Sequence, residues 1–282
     1  MRFDILTLFP GFFAGPLDHG ILSRAIATGA VQVATHDLRA FTHDRHRTVD
    51  DRPFGGGEGM VLKPQPIFEC VESLDIAPKP ERDTARQSVI LLSAQGQPFN
   101  QTAAHRLAAL DRIVLICGRY EGVDERVNHL LADDELSIGD YVLSGGELAA
   151  CVVLDATARL LPGVLGHQDS ARYESFGIGD DVIAEELTAE RSDASAPQRT
   201  AGVPRSTHGA GGILDYPHYT RPADFRGVPI PEILSSGDHA AIRRWRRQQA
   251  LAKTLHNRPD LLTSAALSDD DREFLVTLEE QR

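Results

Sequence analysis

Residues 137–147 read SIGDYVLSGGE and combine Gly139 with the pair Gly145-Gly146. Glycine lets the backbone turn sharply and approach a ligand closely, because it has no Cβ. The apolar stretch Leu148 to Leu161 follows, and a helix beginning there would add unpaired N–H groups and a positive dipole end. The pattern predicts a loop that holds a ligand. Two tight turns around a short strand would explain the same glycines.

The composition is typical of a soluble globular protein: 282 residues, of which 41% are hydrophobic and 25% charged. This length predicts one or two domains. The net charge of −12 argues against unspecific nucleic-acid binding by the whole molecule, but it permits a local basic face.

Cysteine usage and hydropathy indicate the compartment. The three cysteines, Cys70, Cys117 and Cys151, are far apart in apolar surroundings, which predicts core thiols in a reducing environment. No apolar run approaches the roughly 18 residues needed to cross a membrane. The N-terminus lacks the charged start and cleavage site of a signal peptide. We therefore expect a cytoplasmic protein.

Apolar runs alternate with amphipathic segments in the first half of the chain, which predicts an α/β domain with a parallel sheet. Ile76 to Arg86 is a polar segment, for which we expect a surface connection. The predicted helices are Gly20–Gly29, Pro66–Leu74 and Gln101–Leu110. The predicted strands are Arg2–Phe9, Val31–His36, Ser88–Leu92 and Arg112–Cys117.

Three segments with ligand-binding chemistry follow strands. Ser93 begins a predicted turn that ends at Pro98, Gly118 to Gly122 follow the next strand, and residues 137–147 form the third segment. Ligands of open parallel sheets bind beyond the carboxyl ends of the strands. We therefore expect the three segments to converge on one site.

A loop from Thr42 to Met60 is rich in arginine, histidine and glycine. Arginine side chains suit phosphate, and the amides of a glycine-rich loop can hold an anion. Two alternatives are open: a metal site at His43 and His46, which lacks a further ligand at a convincing spacing, and a solvated loop with surface ion pairs. No Gly-Lys-Ser/Thr follows the glycines, which excludes a P-loop.

The chain changes character at Gly177. Residues 177–212 are rich in small and polar residues, which predicts a mobile linker. An extended aromatic segment, Leu214 to Pro222, follows, and Ser268 to Gln281 forms a last helix.

Asp238 is predicted to cap a helix with two faces. We expect Trp245 to be a core residue rather than a platform for base stacking. The apolar stripe comprises Ala241, Ile242, Trp245, Ala252 and Leu255, whereas Arg243, Arg246 and Arg247 are predicted to face away and to contact phosphate.

Several long blocks of the sequence resemble the bacterial tRNA (guanine-N1)-methyltransferases, the TrmD family of the knotted SPOUT-class methyltransferases. The resemblance covers nearly the whole chain except the linker, with the blocks in the family's order. It implies methylation of the guanine immediately 3′ of the anticodon in tRNA, with S-adenosylmethionine as cofactor. The blocks are residues 41–53, 117–122, 138–147, 162–166 and 217–222.

The resemblance also implies the fold: α/β, with a parallel-sheet N-terminal domain that contains a deep C-terminal trefoil knot, and a small, mainly helical C-terminal domain. Topology rules alone would reject a knot. Residues 1–176 would be the cofactor-binding domain, 177–212 the flexible linker and 213–282 the tRNA-binding domain. The family further implies a homodimer with its active site shared between subunits. It also implies magnesium as an aid, although the sequence has no dedicated set of metal ligands.

The family's cofactor and tRNA sites can be carried over residue by residue. Backbone groups of the strand-end loops would hydrogen-bond adenine and ribose. The cofactor residues implied are Ser93, Gly118, Tyr120, Glu121, Gly122, Ile138, Gly139, Asp140, Tyr141, Val142, Leu143, Gly145 and Gly146. The predicted tRNA contacts are His46, Arg47, Asp50, Arg52, Arg221, Arg243, Arg246 and Arg247.

The chemistry requires a base, because guanine N1 must lose its proton as it attacks the methyl carbon, and negative charge then develops at O6. The family supplies an aspartate as the base and an arginine on the preceding helix. The arginine matches Arg159, which could alternatively pair with Asp155 one helical turn earlier. The base position holds Glu174, one methylene longer than the family residue. Asp169 lies nearby but does not align with the base.

Two rival functions stay open at this point. One is a knotted methyltransferase that acts on another RNA or on ribose. Analysis of the methylated product would distinguish it from a tRNA (guanine-N1)-methyltransferase. The other is a catalytically inactive, cofactor-sensing RNA-binding protein. It is considered because Glu174 stands where the family has its catalytic aspartate. Binding of tRNA without turnover would favour it.

Overall fold

The computed structural model describes residues 1–56, 58–166, 171, 174–177 and 211–280. The chain divides into two compact units, 1–166 and 167–282, so that the division falls before the predicted domain end at residue 176. Most of the predicted linker lies outside the described residues. Its two ends, however, are adjacent, because the N–H of Gly211 donates to the carbonyl of Gly177 at 3.0 Å.

A five-stranded sheet with the order β2-β1-β6-β5-β7 forms the centre of the first unit, and all its neighbouring strands are parallel. The four predicted strands are confirmed, and β7 is an additional one. The strands are β1 (Arg2–Thr7), β2 (Gln32–Asp37), β5 (Gln87–Pro98), β6 (Arg112–Cys117) and β7 (Asp134–Ser137), while β3 (Asp50–Asp51) and β4 (Val61–Leu62) form a separate antiparallel pair.

Helices cover both faces of the sheet, as expected for parallel strands that are apolar on both sides. Along β6, Ile113 and Leu115 pack in one core with α2, α4 and α6, whereas Val114 and Ile116 pack in the other with α3 and α5. The α/β class is therefore confirmed, and the trefoil knot stays a prediction. The helices are α1 (Ala14–Asp18), α2 (Gly20–Ala27), α3 (Pro64–Glu72), α4 (Gln101–Ala108), α5 (Glu125–Leu130) and α6 (Glu147–Ala158).

The turn predicted at residues 93–98 is wrong, because β5 continues through it. Leu92 and Gln97 both pair with Leu136 of β7, so the register shifts and the intervening residues form an irregular bulge. Pairing with β7 satisfies backbone groups that a free turn would leave to solvent.

The segment 76–86 is not simply a surface connection, because Arg82 is buried. Its Nη1 donates to the carbonyl of Leu131 at 2.8 Å and to Oδ2 of Asp133 at 2.6 Å. Asp133 also accepts the N–H of Val89 at 2.8 Å. The ion pair therefore anchors this segment to the start of β5 and to the approach to β7.

The second unit is mainly helical in its described part. It contains the short hairpin β8–β9 (Asp224–Phe225 and Val228–Pro229) and two helices, α7 (His239–Asn257) and α8 (Asp269–Glu280). The predicted cap is confirmed, since Oδ1 of Asp238 accepts the N–H groups of Ala240 and Ala241 at 3.0 Å. The core of this unit consists of Ile213, Ala250 and Leu251, with further apolar residues packed around them.

The prediction that Arg247 lies on an exposed face of α7 is wrong. Its guanidinium is buried and binds both carboxylate oxygens of Asp271 on α8, at 3.0 and 2.8 Å. The inward face of α7 runs through Arg247, Ala250, Leu251 and Thr254, and Trp245 is half-buried. The hydrophobic periodicity predicted a different inward face for α7, because that pattern treats every arginine as a solvent-exposed polar residue.

The thiols are reduced and mostly internal, as predicted. Cys70 and Cys117 are fully buried and Cys151 is half-buried. Burial raises the pKa of the Cys70 thiol to about 12 and that of Cys117 well above its usual value. Among the described helices, none has the length and apolarity required to cross a membrane.

Asp4 in the middle of β1 is fully buried and has three cationic or polar partners. Its Oδ1 contacts Nε2 of His36 at 2.8 Å, and its Oδ2 accepts from Nε of Arg2 at 2.9 Å and from Nε of Arg112 at 2.8 Å. Burial alone would raise the pKa of this carboxyl. The hydrogen bonds of its three partners outweigh burial and hold the pKa well below its ordinary value.

We predict that Asp4→Asn lowers the free energy of unfolding at pH 7 by about 1.5–3 kcal/mol, because Arg2, His36 and Arg112 lose the buried carboxylate that they bind. Since the folded pKa is depressed, this contribution is complete above the unfolded pKa of ~3.9 and is lost as the pH falls below it. Urea unfolding of both proteins between pH 3 and 7 measures the difference. A difference that is constant down to pH 3 would contradict the assignment.

Candidate active site

The irregular bulge within β5 and the carboxyl ends of β6 and β7 open on one cavity of about 220 Å³. Every predicted cofactor residue except Asp140 lines it, so the three predicted segments do converge. Residues that sequence reasoning did not include also line it: Leu91, Leu92, Ala94, Gln95, Arg119, Val123, Glu125, Glu135, Leu136, Ser137 and Ala149. Five of them directly flank a predicted residue in the sequence, namely Leu92, Ala94, Arg119, Val123 and Ser137, and this adjacency was the signal that could have found them.

The backbone at Gly146 holds two of the cavity walls together. Its N–H donates to the carbonyl of Gly118 at 2.9 Å. A Cβ at position 146 would lie 2.7 Å from Cα of Cys117, too close for any side chain. Glycine at this position therefore lets the chain that begins α6 pass directly against the end of β6.

The loop 137–143 is a compact turn held by short-range bonds. The N–H of Tyr141 donates to the carbonyl of Gly139 at 2.9 Å, and the hydroxyl of Tyr141 donates to the carbonyl of Ile138 at 3.1 Å. Ser137 Oγ donates to the Gly139 carbonyl at 3.1 Å. These bonds fix the backbone facing the cavity, while the side chains of Tyr141 and Val142 are largely exposed.

The charged side chains around the cavity are mainly acidic. Glu121, Glu125 and Glu135 line it together with Arg119. Nδ2 of Asn128 donates to Glu135 at 3.0 Å and to Glu125 at 3.2 Å, which holds these two carboxylates at the cavity. A concave site with an excess of carboxylates favours a ligand that carries positive charge.

Arg159 does not line the cavity. It directly follows α6, and its N–H donates to the carbonyl of Asp155 at 3.1 Å. A helix of 12 residues spans about 18 Å, and the cavity lies at the N-terminal end of α6. Within one chain, Arg159 and the cavity are therefore at opposite ends of this helix.

Glu174 is half-buried in the second unit. Its carbonyl accepts the N–H of Gly177 at 3.0 Å, and the neighbouring Ser175 Oγ accepts the N–H of Asp215 at 2.9 Å. These bonds attach the Glu174 segment to the extended segment after the linker. The alternative base, Asp169, lies outside the described residues.

The loop 43–47 is exposed and is organised by Asp44, whose carboxylate accepts bonds from the backbone of His46 and from the backbone and hydroxyl of Thr48. These bonds lower the pKa of Asp44, led by the Thr48 hydroxyl. His46, Arg47 and Arg52 are exposed, and Asp50 is half-buried in β3. His43 contacts Glu69 at 2.8 Å, but the described residues contain no group of three or more potential metal ligands.

The remaining predicted tRNA contacts lie in the second unit. Arg221 and Arg243 are exposed. Arg246 is half-buried, with its guanidinium carbon 4.8 Å from the ring centroid of Tyr216. Arg244, which sequence reasoning passed over, is exposed beside Arg243. The exposed arginines of α7 are therefore Arg243 and Arg244, and Arg246 is half-buried.

Comparison with known proteins agrees with this site. The family model described as tRNA (Guanine-1)-methyltransferase TrmD matches residues 1–192 and 198–264. A protein of Koribacter versatilis named tRNA (guanine-N(1)-)-methyltransferase is 56% identical over 278 residues, which is 99% of this chain and 98% of the relative. Proteins of the same name from Geobacter metallireducens and Geobacter sulfurreducens are each 47% identical, over 99% and 100% of this chain and 98% and 99% of their own lengths.

The match is nearly complete in length, and it includes the two blocks 117–122 and 138–147, most of whose residues line the cavity. The chain belongs to the TrmD family of tRNA (guanine-1)-methyltransferases.

Proposed function

We propose that this protein transfers a methyl group from S-adenosylmethionine to N1 of the guanine immediately 3′ of the anticodon in tRNA. The observation that carries the proposal is the family match over nearly the whole chain. A tRNA substrate would place the enzyme in the cytoplasm. The trefoil knot that the family implies is part of the same proposal.

The cavity has the properties that this cofactor requires. Family membership implies S-adenosylmethionine as the methyl donor, and this molecule supplies a methyl carbon made electrophilic by its sulfonium charge. The acidic lining formed by Glu121, Glu125 and Glu135 suits a positively charged ligand. Leu92, Leu136 and Ala149 offer an apolar wall for a purine, and the fixed backbone of residues 137–143 offers hydrogen-bonding groups.

Two side chains are assigned to the chemistry. The carboxylate of Glu174 would accept the proton from guanine N1, and the guanidinium of Arg159 would stabilise the negative charge that develops at O6. Magnesium would accompany the tRNA rather than occupy a protein site, since no ligand cluster occurs among the described residues.

The distance along α6 supports a homodimer with a shared active site. Arg159 lies at the opposite end of α6 from the cavity, and a second subunit would bring an arginine and a cofactor together across the interface. Leu148 and Val152 lie four residues apart on α6 and expose 52% and 44% of their surface. Neighbouring exposed apolar side chains on one helix face suit a subunit interface.

The methyl-transfer reaction tests the proposal directly. Purified protein is incubated with labelled S-adenosylmethionine and a tRNA that carries guanine 3′ of its anticodon, and the digested nucleosides are separated. We expect N1-methylguanosine at that position, and none in a tRNA with adenine there. Labelled ribose, or a base methylated elsewhere, would indicate a different RNA methyltransferase. Binding of tRNA without any product would indicate an RNA-binding protein.

We predict that Glu174→Gln lowers kcat by about 10²–10⁴-fold, because the amide cannot accept the N1 proton. Glu174→Asp restores the family residue and should lose less activity, since a carboxylate remains. Asp169→Asn is the matched control for the alternative base. Single-turnover methylation measures all three. If Glu174→Gln keeps the wild-type rate while Asp169→Asn loses it, the base is Asp169.

A second prediction separates the two kinds of arginine on α7. Arg243→Gln should weaken tRNA binding and reduce the slope of log affinity against log salt by about one, as expected for one phosphate contact. Arg247→Gln should mainly lower the melting temperature, because it breaks the buried pair with Asp271. The control is Arg86→Gln, because Arg86 is an exposed arginine that directly precedes β5 and pairs with Asp111. Equal salt slopes for all three variants and the wild type would reject the contact at Arg243.

A further inference from the structure

A buried carboxylate lies directly behind the cavity wall. Glu147 is the first residue of α6 and only 2% exposed. Its Oε1 accepts the hydroxyl of Thr7 at 2.8 Å. Its two oxygens also face Arg119, at 3.4 Å from Nε and 3.3 Å from Nη2. Burial of a charged group is costly unless the group is paired, and Thr7 and Arg119 are the partners of this buried carboxylate.

Arg119 is the member of this group that reaches the cavity, and it is held from three directions. Glu147 binds its guanidinium on one side. The ring of Phe9 lies on another, with the guanidinium carbon 4.3 Å from the ring centroid, within range of a cation–π contact. The backbone of Arg119 forms a bridge with Gly145. Its position is therefore fixed through both side chain and backbone.

Thr7 closes the network at the end of β1. Its hydroxyl donates to Glu147 and accepts the N–H of Phe9 at 2.9 Å. The same hydroxyl therefore contacts the carboxylate of Glu147 and the backbone of Phe9, the two residues between which the guanidinium of Arg119 lies. Thr7 and Glu147 are both buried, so the hydrogen bond between them is shielded from solvent.

Gly145 is the point at which this network meets the cofactor loop. A Cβ at this position would lie 2.5 Å from Oε2 of Glu147 and 2.6 Å from Nε of Arg119. The ion pair therefore occupies the space beside Gly145 that a side chain would need. Displacement of the pair would remove a side-chain contact that, together with the bond from the N–H of Gly146 to the carbonyl of Gly118, holds the 145–146 backbone against the loop that begins at Gly118.

We propose that Glu147 is a positioning residue that, through Arg119, holds the segments 118–122 and 137–146 at the separation that cofactor binding requires. The inference deepens the proposed function, on which it rests, and it assigns Thr7 and Glu147 a role outside the cavity itself. It predicts that loss of the carboxylate weakens cofactor binding more than it slows the bound enzyme.

The test uses the full-length protein and S-adenosylmethionine as the titrated ligand. We expect Glu147→Gln to raise the calorimetric Kd, and the KM for the same ligand, by about tenfold, because the half-buried Arg119 loses the charged partner that holds it at the cavity. The kcat at saturating cofactor should change less than the KM. Arg119→Gln should raise the Kd by a similar factor. The Kd of the double variant should not exceed that of the single variant with the larger effect, since both substitutions remove the same contact.

Two controls separate positioning from stability. Asp4→Asn also removes a buried, paired carboxylate, but from β1 and outside the cavity lining, and it should lower the melting temperature while leaving the Kd within about twofold. If Glu147→Gln fails to fold, Thr7→Val and Thr7→Ser replace it. The valine should raise the Kd severalfold, and the serine, which keeps the hydroxyl, should not.

Three results would overturn the inference: a Kd that is unchanged in Glu147→Gln, effects of Glu147→Gln and Arg119→Gln that add, or equal Kd values for Thr7→Val and Thr7→Ser. Failure of the proposed function has a different signature. In that case the wild-type protein binds S-adenosylmethionine but leaves tRNA unmethylated, and the binding comparison among the variants still stands.

Discussion

The hydrogen bond from the N–H of Gly146 to the carbonyl of Gly118 joins the start of α6 to the end of β6. It requires close approach, since Cα of Cys117 occupies the space where a Cβ of residue 146 would lie. Because this contact is made by backbone, it fixes the loops on either side of it to the sheet. The cavity, the beginning of α6 and the ion pair of Glu147 with Arg119 all depend on it.

The cavity follows from this contact and from the order of the strands. β5 lies between β6 and β7, so the carboxyl ends of the three strands are adjacent although they are separated in sequence. Their loops supply fixed backbone and acidic side chains, and the sheet below supplies apolar strand ends. A rigid, negatively charged and partly apolar site is well suited to a purine ligand that carries a sulfonium. Arg159 lies at the opposite end of α6 from this cavity.

The sequence predicted the parts of the fold that depend on local pattern. Continuous apolar runs identified β1, β5 and β6, and the glycines of the segments at 118–122 and 137–146 identified the cavity. The sequence could not predict features set by long-range pairing. The residues after Leu92 resemble a turn but extend β5 because β7 pairs with them. Arg82 and Arg247 resemble surface residues but are buried against carboxylates distant in sequence. Glu147 was visible only as the end of a loop motif, since its partners Thr7 and Arg119 are brought to it by the sheet.

We propose that one cavity, formed by the bulge of β5 and the ends of β6 and β7, holds the methyl donor. A crystal structure of the protein with S-adenosylhomocysteine, the demethylated form of the donor, tests it most directly. We expect the adenine to lie between the apolar strand residues and the backbone of residues 137–143, with the glycine segment 118–122 in contact with the ligand. Density for the ligand at any other position in the chain, or a cavity that stays empty at saturating ligand, would contradict it.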